Sequence, residues 1–264
     1  MTIPPPVSLA APPRVHSHAD PAALVAACGA ELAALTARCV AQGGQCHIAL
    51  AGGGTPRDLY RSLARPPLAE RMPWSALHLY WGDERCVPAD HPESNQRMVR
   101  ETLLDHVPLP AANIHPMPVE LPPAAAAARY TATLAAGLPR DAAGRLRFDL
   151  VLLGLGSDGH TASLFPPELA QDLHGTPLCR SGTQPQSGQA RLSIALELIN
   201  DARQIWFLVT GAAKVPVVRG ILEAAPAARG WPAAWVRPRD GELVWHLDRA
   251  AAGSALDLIA PLDR

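Results

Sequence analysis

Lysine is almost missing from this sequence. Of the 23 Lys and Arg residues, 22 are arginine and a single one, Lys214, is lysine. No basic block stands anywhere in the 264 residues, no aromatic residues are interleaved with basic ones, and the net charge is -1 at pH 7. These absences argue against nucleic acid or an anionic membrane surface as the main partner, so any positive potential must be local. Cysteine is sparse: Cys28, Cys39, Cys46, Cys86 and Cys179 make an odd number, with no C-x-x-C pair and no histidine cluster at metal-ligand spacing. They read as reduced and mostly structural, with no metal expected. Cys86 follows a charged trio and has a reactive reading, but a lone cysteine without a matched base more often packs. The opening stretch "MTIPPPVSLAAPPRVHSHAD" lacks a basic region followed by an apolar one, and no apolar run approaches the roughly 20 residues of a membrane span. The expectation is a cytoplasmic protein, a monomer or small homo-oligomer, with a small-molecule partner and neither nucleic acid nor membrane.

What is present is apolar bulk. A hydrophobic content of 48% lets the chain bury a large core as one α/β domain, with room for a small extra lobe. Residues 1–19 are rich in Pro and Ala and read as a poorly ordered N-terminal tail, leaving 20–264 as the single domain. Asp20 as N-cap and Pro21 at the first helical position open a helix reaching about Gln42. Strands are expected at Cys46 to Ala51, Leu77 to Trp81, Phe148 to Leu153, Leu192 to Ala195, Ile205 to Val209, near Ala234, and at Leu243 to Leu247. Helices are expected at Arg57 to Leu63, Ser94 to Leu104, Ala124 to Leu138 and Ala212 to Ala224, with a last helix beyond the final strand. Asn113 to His115 is short and ambiguous, the stretch "GDERCVPADHPESNQ" reads as a long polar loop, and 167–190 as another. Alternating β and α segments specify a mostly parallel sheet with helices on both faces.

The stretch "LVLLGLGSDGHTASLFP" places Gly154, Gly156 and Gly159 at the dinucleotide spacing G-x-G-x-x-G. Its context is wrong for that reading. It lies past the middle of the chain, Pro166 and Pro167 keep any helix starting at His160 short, and Asp172 stands in polar sequence instead of at a strand end. A nucleophile elbow also fails, because Leu155 occupies the place of the first glycine around Ser157. What remains is a buried strand running into a glycine-rich turn that carries Asp158 and His160.

Ligands of open α/β sheets sit at the carboxyl ends of the strands, a rule that gathers four distant stretches onto one edge. "AGGGTP" has no G-K-S/T ending, yet the N–H groups of Gly53, Gly54 and Thr55 at a helix start suit a phosphate, against the plainer reading of a tight turn. In "GDER", Asp83 and Glu84 follow a buried strand and Arg85 offers a fork to a phosphate or carboxylate, while an ion pair within the loop fits equally well. Lys214, in "TGAAK", stands in a first helical turn where a cation opposes the helix dipole, which makes sense if an anion lies between them. His160 beside Asp158 is the candidate general base, against a structural histidine at a helix start. With no metal cluster and no matched nucleophile, the simplest chemistry is water attacking the activated carbonyl of a phosphorylated small molecule.

Taken together, "AGGGTP", "WGDERCVPADHPESN", "GLGSDGHTASLFP" and "TGAAK" resemble the 6-phosphogluconolactonase family, in the family's order from residue 51 to 214. The resemblance implies the NagB/RpiA-like, modified Rossmann-type fold shared with glucosamine-6-phosphate deaminases, and hydrolysis of 6-phosphogluconolactone to 6-phosphogluconate in the pentose phosphate pathway. It implies His160 activating water, Asp158 supporting it, and Arg85, Lys214 and the Gly53 to Thr55 loop receiving the phosphate, without a cofactor. Asp83, Gly159 and Arg191 are further substrate-binding candidates. One departure stands in "RLSIALELINDAR", where Glu197 takes a place the family more usually gives to proline. Three rivals are weaker. A glucosamine-6-phosphate isomerase/deaminase has a motif closer to N-G-H-I-A-F-N-E-P, a sugar-phosphate sensor needs a DNA-binding head that nineteen residues before the first helix leave no room for, and a serine hydrolase would have to use Ser157.

Overall fold

The computed structural model describes residues 12–42, 44–166 and 177–253. Its strands are β1 (Arg14–His18), β2 (Cys46–Leu50), β3 (Leu77–Trp81), β4 (Asp83–Arg85), β5 (Ile114–His115), β6 (Leu150–Leu153), β7 (Cys179–Thr183), β8 (Ala190–Ile194), β9 (Gln204–Val209) and β10 (Glu242–Asp248). Seven form one sheet in the order β1-β10-β9-β6-β2-β3-β5, with every pairing parallel. From β2 the chain proceeds outward to β3 and β5, then returns to the other side of β2 as β6 and continues to β9 and β10. The order therefore reverses between β2 and β6. A crevice opens at such a switch point, at the carboxyl ends of those two strands.

Every residue of β2 and β6 is buried, as for parallel strands covered on both faces, and this is why both segments are continuous apolar runs without alternation. Among the described residues the helices are α1 (Pro21–Ala41), α2 (Gly54–Leu63), α3 (Leu68–Arg71), α4 (Asn95–Thr102), α5 (Pro123–Gly137), α6 (Leu196–Asn200), α7 (Val215–Leu222) and α8 (Arg249–Ala252). α1 starts as its cap residues dictate: the Asp20 carboxylate accepts the Ala23 N–H at 2.8 Å, and Pro21 fills the first turn. By length and composition alone α1 passes for a membrane-crossing helix, with a mean hydropathy of 1.6 over 18 residues, contrary to the expectation that no run comes near one. Its buried stripe of Leu24, Cys28, Leu32 and Leu35 belongs to the core, and the helix packs against α2 and β10. Among the largest buried side chains, Phe207 of β9 and its register partner Trp245 of β10 stack at 4.1 Å. Such cross-strand aromatic pairs lock neighbouring parallel strands together.

The structure corrects four expectations. Residues Arg14–His18 of the supposed tail form β1, paired in parallel with β10. Only Val15 of that strand is fully buried, so no apolar period announces it, and its partner lies more than 220 positions away. Asp83–Arg85, read as the start of a loop, is β4, and Cys179–Thr183, within the second expected loop, is β7. With β8 between them they make a separate antiparallel sheet of three strands, the small extra lobe. The strand expected near Ala234 is a 3-10 turn, Pro232–Trp235, because Pro232 fixes a helical φ at its start. Residues 1–11 of the expected tail and 167–176 of the second expected loop lie outside the described residues.

Candidate active site

After β2 the chain is pinned by Tyr60, whose buried hydroxyl donates to the Ala51 carbonyl at 2.8 Å and accepts the Ala51 N–H at 3.0 Å. Gly53 then takes φ 102°, a conformation open to glycine, and α2 begins at Gly54 with no side-chain cap. An uncapped helix start leaves its first N–H groups without partners, and Pro56 at the third helical position has none to offer. Gly53, Gly54 and Thr55 therefore present the loop's N–H donors, with the positive end of the α2 dipole, toward one cleft. The Thr55 hydroxyl lies 2.8 Å from that of Thr210 at the end of β9, tying this loop to the "TGAAK" turn.

The turn after β6 brings Asp158 and His160 together. Asp158 Oδ1 stands 2.6 Å from His160 Nδ1 and also accepts the His160 backbone N–H at 3.2 Å. An ionised carboxylate only accepts, so Nδ1 carries a proton, and the tautomer with one ring proton has its lone pair on Nε2. Partial burial raises the Asp158 pKa, but the backbone N–H, charge and ring N–H of His160 outweigh it and hold the carboxyl below its usual range. Gly156 makes this possible, since a Cβ there would overlap both His160 Nδ1 and Asp158 Oδ1. Gly159, with φ 82°, is buried against the Trp231 indole and does not line the cleft, so it shapes the turn. No helix starts at His160. A bridge between Thr161 and Leu164 follows instead, and the Thr161 hydroxyl donates to the Gly154 carbonyl at 2.8 Å.

In "GDER" the three charged residues separate into three roles. Asp83 lines the cleft, its Oδ2 accepting the Ser163 hydroxyl at 2.7 Å and its backbone carbonyl the Asn95 side-chain amide at 3.0 Å. Glu84 is fully buried and accepts the N–H groups of Arg85, Asn95 and Gln96 at 2.7, 2.9 and 2.7 Å, so it caps α4. Burial pushes its pKa up, and those three N–H groups pull it back. Arg85 lines the cleft with one guanidinium nitrogen on the Glu93 carbonyl and its buried Nε without a hydrogen-bond partner. Arg191 is the register partner of Arg85 across β4 and β8. Its buried Nε is also unpartnered, and burial followed by the charge of Arg85 lowers its pKa, but it does not line the cleft. Lys214 closes the 3-10 turn Ala212–Lys214, caps α7 and faces the cleft with no carboxylate paired to it among the described residues. Gly211, at φ 95°, is held by its N–H on Asp248 Oδ1 at 3.0 Å. The cleft measures about 580 Å³, room for a small phosphorylated sugar. Ser157 is exposed and off the cleft, which removes the serine-nucleophile reading.

A family model described as glucosamine-6-phosphate isomerases/6-phosphogluconolactonase matches residues 19–245. The chain belongs to that family. It is 45% identical over 215 residues to a 6-phosphogluconolactonase of Synechocystis sp., covering 81% of this chain and 86% of the relative. It is 40% identical over 205 residues to that of Haemophilus influenzae, covering 78% and 85%. The solved 6-phosphogluconolactonase of Trypanosoma brucei superposes with a TM-score of 0.80 at 34% identity, over 94% of this chain and 99% of that one. A monomeric glucosamine-6-phosphate deaminase, at a TM-score of 0.72 and 19% identity over 90% of this chain and 98% of its own, shares the fold alone.

Within this family's scaffold, the departure at Glu197 has a local explanation. Glu197 lies in the first turn of α6, where a carboxylate complements the helix dipole, so the chain starts a helix there without the usual proline. Polar cleft residues that escaped the sequence reading include Asp58, Thr210 and Asn95. Thr210 was within reach, because it directly follows a predicted strand on the edge where ligands sit. Asn95 was not, since only the contact of α4 with β4 brings it there.

Proposed function

We propose that this chain hydrolyses 6-phospho-D-glucono-1,5-lactone to 6-phospho-D-gluconate, a step of the oxidative pentose phosphate pathway, as its named relatives imply. One observation carries the reading: the uncapped start of α2 and an Asp158-oriented imidazole open onto the same cleft at the switch point. The substrate phosphate sits on the N–H groups of Gly53, Gly54 and Thr55, with Lys214 and Arg85 supplying positive charge. Its distance from the ring carbonyl then fixes which carbon meets His160. Nε2 of His160 takes a proton from water as the oxygen bonds to the lactone carbonyl carbon, and the imidazolium that forms is stabilised by Asp158. Collapse of the tetrahedral intermediate breaks the ring C–O bond, and the imidazolium returns the proton to the leaving ring oxygen. Asp83, held by Ser163 and Asn95, is placed to accept hydrogen bonds from sugar hydroxyls.

The test is hydrolysis of freshly generated 6-phosphogluconolactone, with the spontaneous rate subtracted, by the wild type and by His160→Ala. A loss of about 10²–10⁴ in kcat for the variant, and much weaker turnover of unphosphorylated gluconolactone by the wild type, are expected. A wild-type rate equal to the spontaneous one overturns the activity. An unaltered rate for His160→Ala overturns the mechanism alone.

A further inference from the structure

Beneath the sheet, at the edge opposite the cleft, a second group of chemically competent side chains has no part in this reaction. Cys39 lies in the last turn of α1, Cys46 is the first residue of β2, and Asp149 directly precedes β6. Their two sulfur atoms and a carboxylate oxygen all lie within 4.8 Å of one another. We propose that Cys39, Cys46 and Asp149 form a binding site for a thiophilic divalent cation of the zinc class, clamping α1 to the two central strands.

The donor geometry is close to what such an ion needs. Tetrahedral zinc holds sulfur at about 2.3 Å and oxygen at about 2.0–2.2 Å, which places neighbouring donors roughly 3.5–3.8 Å apart. Small side-chain rotations reach that spacing from 4.8 Å or less. Two thiolates with one carboxylate select zinc or cadmium over magnesium or calcium, which prefer all-oxygen shells. Cys46 is fully buried while Cys39 is half-buried, so the group is anchored on one side and open to water on the other. That opening supplies both an entry path and the fourth coordination position.

The surroundings of the carboxylate support the same assignment. Asp149 Oδ2 accepts the His47 backbone N–H at 2.9 Å and its Oδ1 lies 3.3 Å from Arg203 Nε, which fixes the group's orientation and leaves each oxygen a lone pair. Metal entry releases the two thiol protons to solvent as two sulfur–metal bonds form, so affinity rises with pH. Arg38 and Arg203, the cations nearest Cys39, offset the surplus negative charge of two thiolates and a carboxylate on a dication.

The experiment uses the full chain, reduced with a phosphine and stripped with a chelator, then titrated with Cd²⁺. An ultraviolet thiolate-to-cadmium band should grow linearly to one equivalent and be displaced by Zn²⁺. Zn²⁺ should slow alkylation of Cys39 and Cys46 without changing that of Cys28, Cys86 or Cys179. Cys39→Ser, at the half-buried end of a helix, should abolish the band while lactone hydrolysis, at the far edge, is unchanged. Asp149→Asn should keep a weaker band with affinity lowered by about tenfold or more. Absence of the band in the wild type, its persistence in Cys39→Ser, or protection that falls on Cys86 would each overturn the site.

Discussion

The two edges of the main sheet treat the same residue types in opposite ways. At the carboxyl edge, β2, β6 and β9 run into glycine turns and the polar groups are left incomplete. The α2 start has no side-chain cap, Lys214 meets no carboxylate among the described residues, and the buried Nε of Arg85 has no acceptor. At the amino edge the groups close on each other. Arg145 Nη2 lies 2.6 Å from both Asp141 and Asp240, while Arg147 donates Nε to the Asp201 carbonyl at 2.7 Å and reaches Asp240 with Nη2 at 2.7 Å. An unsatisfied buried donor costs about 1–3 kcal/mol. The Arg145 and Arg147 network avoids that cost, whereas the cleft carries it at Arg85, where an anionic ligand would complete the set.

The largest effect that would break this contrast is at the turn that carries Asp158 and His160. Gly156→Ala puts a methyl group where His160 and Asp158 meet and forces the pair apart. A displacement on that scale lowers kcat by about 100-fold, with the thermal transition still cooperative. An unchanged kcat would show that the pair is not the reacting unit. Lys214→Ala comes next. Losing one charge-assisted contact of about 1.5–3 kcal/mol should lower kcat/KM for the phosphorylated lactone by about tenfold or more, and leave unphosphorylated gluconolactone unaffected. Equal losses on both substrates would remove Lys214 from the phosphate. At the other edge the signature inverts. Arg147→Met leaves the Asp201 carbonyl without its donor and Asp240 with Arg145 alone, so urea unfolding at pH 7 should show a loss of about 1–3 kcal/mol with kcat unchanged.

The same contrast explains what could be read in the sequence. The carboxyl edge was legible because its chemistry is written in short local strings: three glycines before a helix, D-G-H after an apolar run, a lone lysine three positions past the glycine that follows a strand. The strand rule alone then brought these strings together. The amino edge and the small lobe were not legible, because they depend on pairings between remote segments. β1 shows no apolar period and exists through β10, and β4 is three residues long and exists through β8, over 100 positions away. Glu84 is the instructive case. Locally it is indistinguishable from Asp83 and Arg85 as a candidate functional charge, yet burial under the α4 start makes it a cap. Cys39, Cys46 and Asp149 likewise show no ligand spacing in sequence, since β6 brings the third group from 103 positions beyond the second.

The smallest expected effect concerns the stacked histidines within the sheet, where closure is complete enough to exclude a proton. His246 of β10 is fully buried, stacks on His16 and His18 of β1, and has Glu31 at 3.7 Å from its Nε2. Burial first, then the neighbouring His16 and His18, lowers its pKa to about 3. His47, stacked on His78 of β3, is lowered to about 4 by burial and then by His78 and His115. Both rings are neutral in the folded chain, whereas the unfolded chain protonates them near pH 6.5. The unfolded state therefore binds more protons below that pH, and the stability present above 6.5 is lost as pH falls toward 4 for His47 and 3 for His246. At pH 5.5, one unit below the unfolded value, each ring accounts for about 1.4 kcal/mol. Urea unfolding of the wild type at pH 7.5 and 5.5 should show this decline, and His246→Gln should reduce the slope by one ring's share. A slope that His246→Gln leaves unaltered would mean that this imidazole already carries its proton in the folded sheet, and that the β1–β10 side of the sheet is less closed to water than its packing shows.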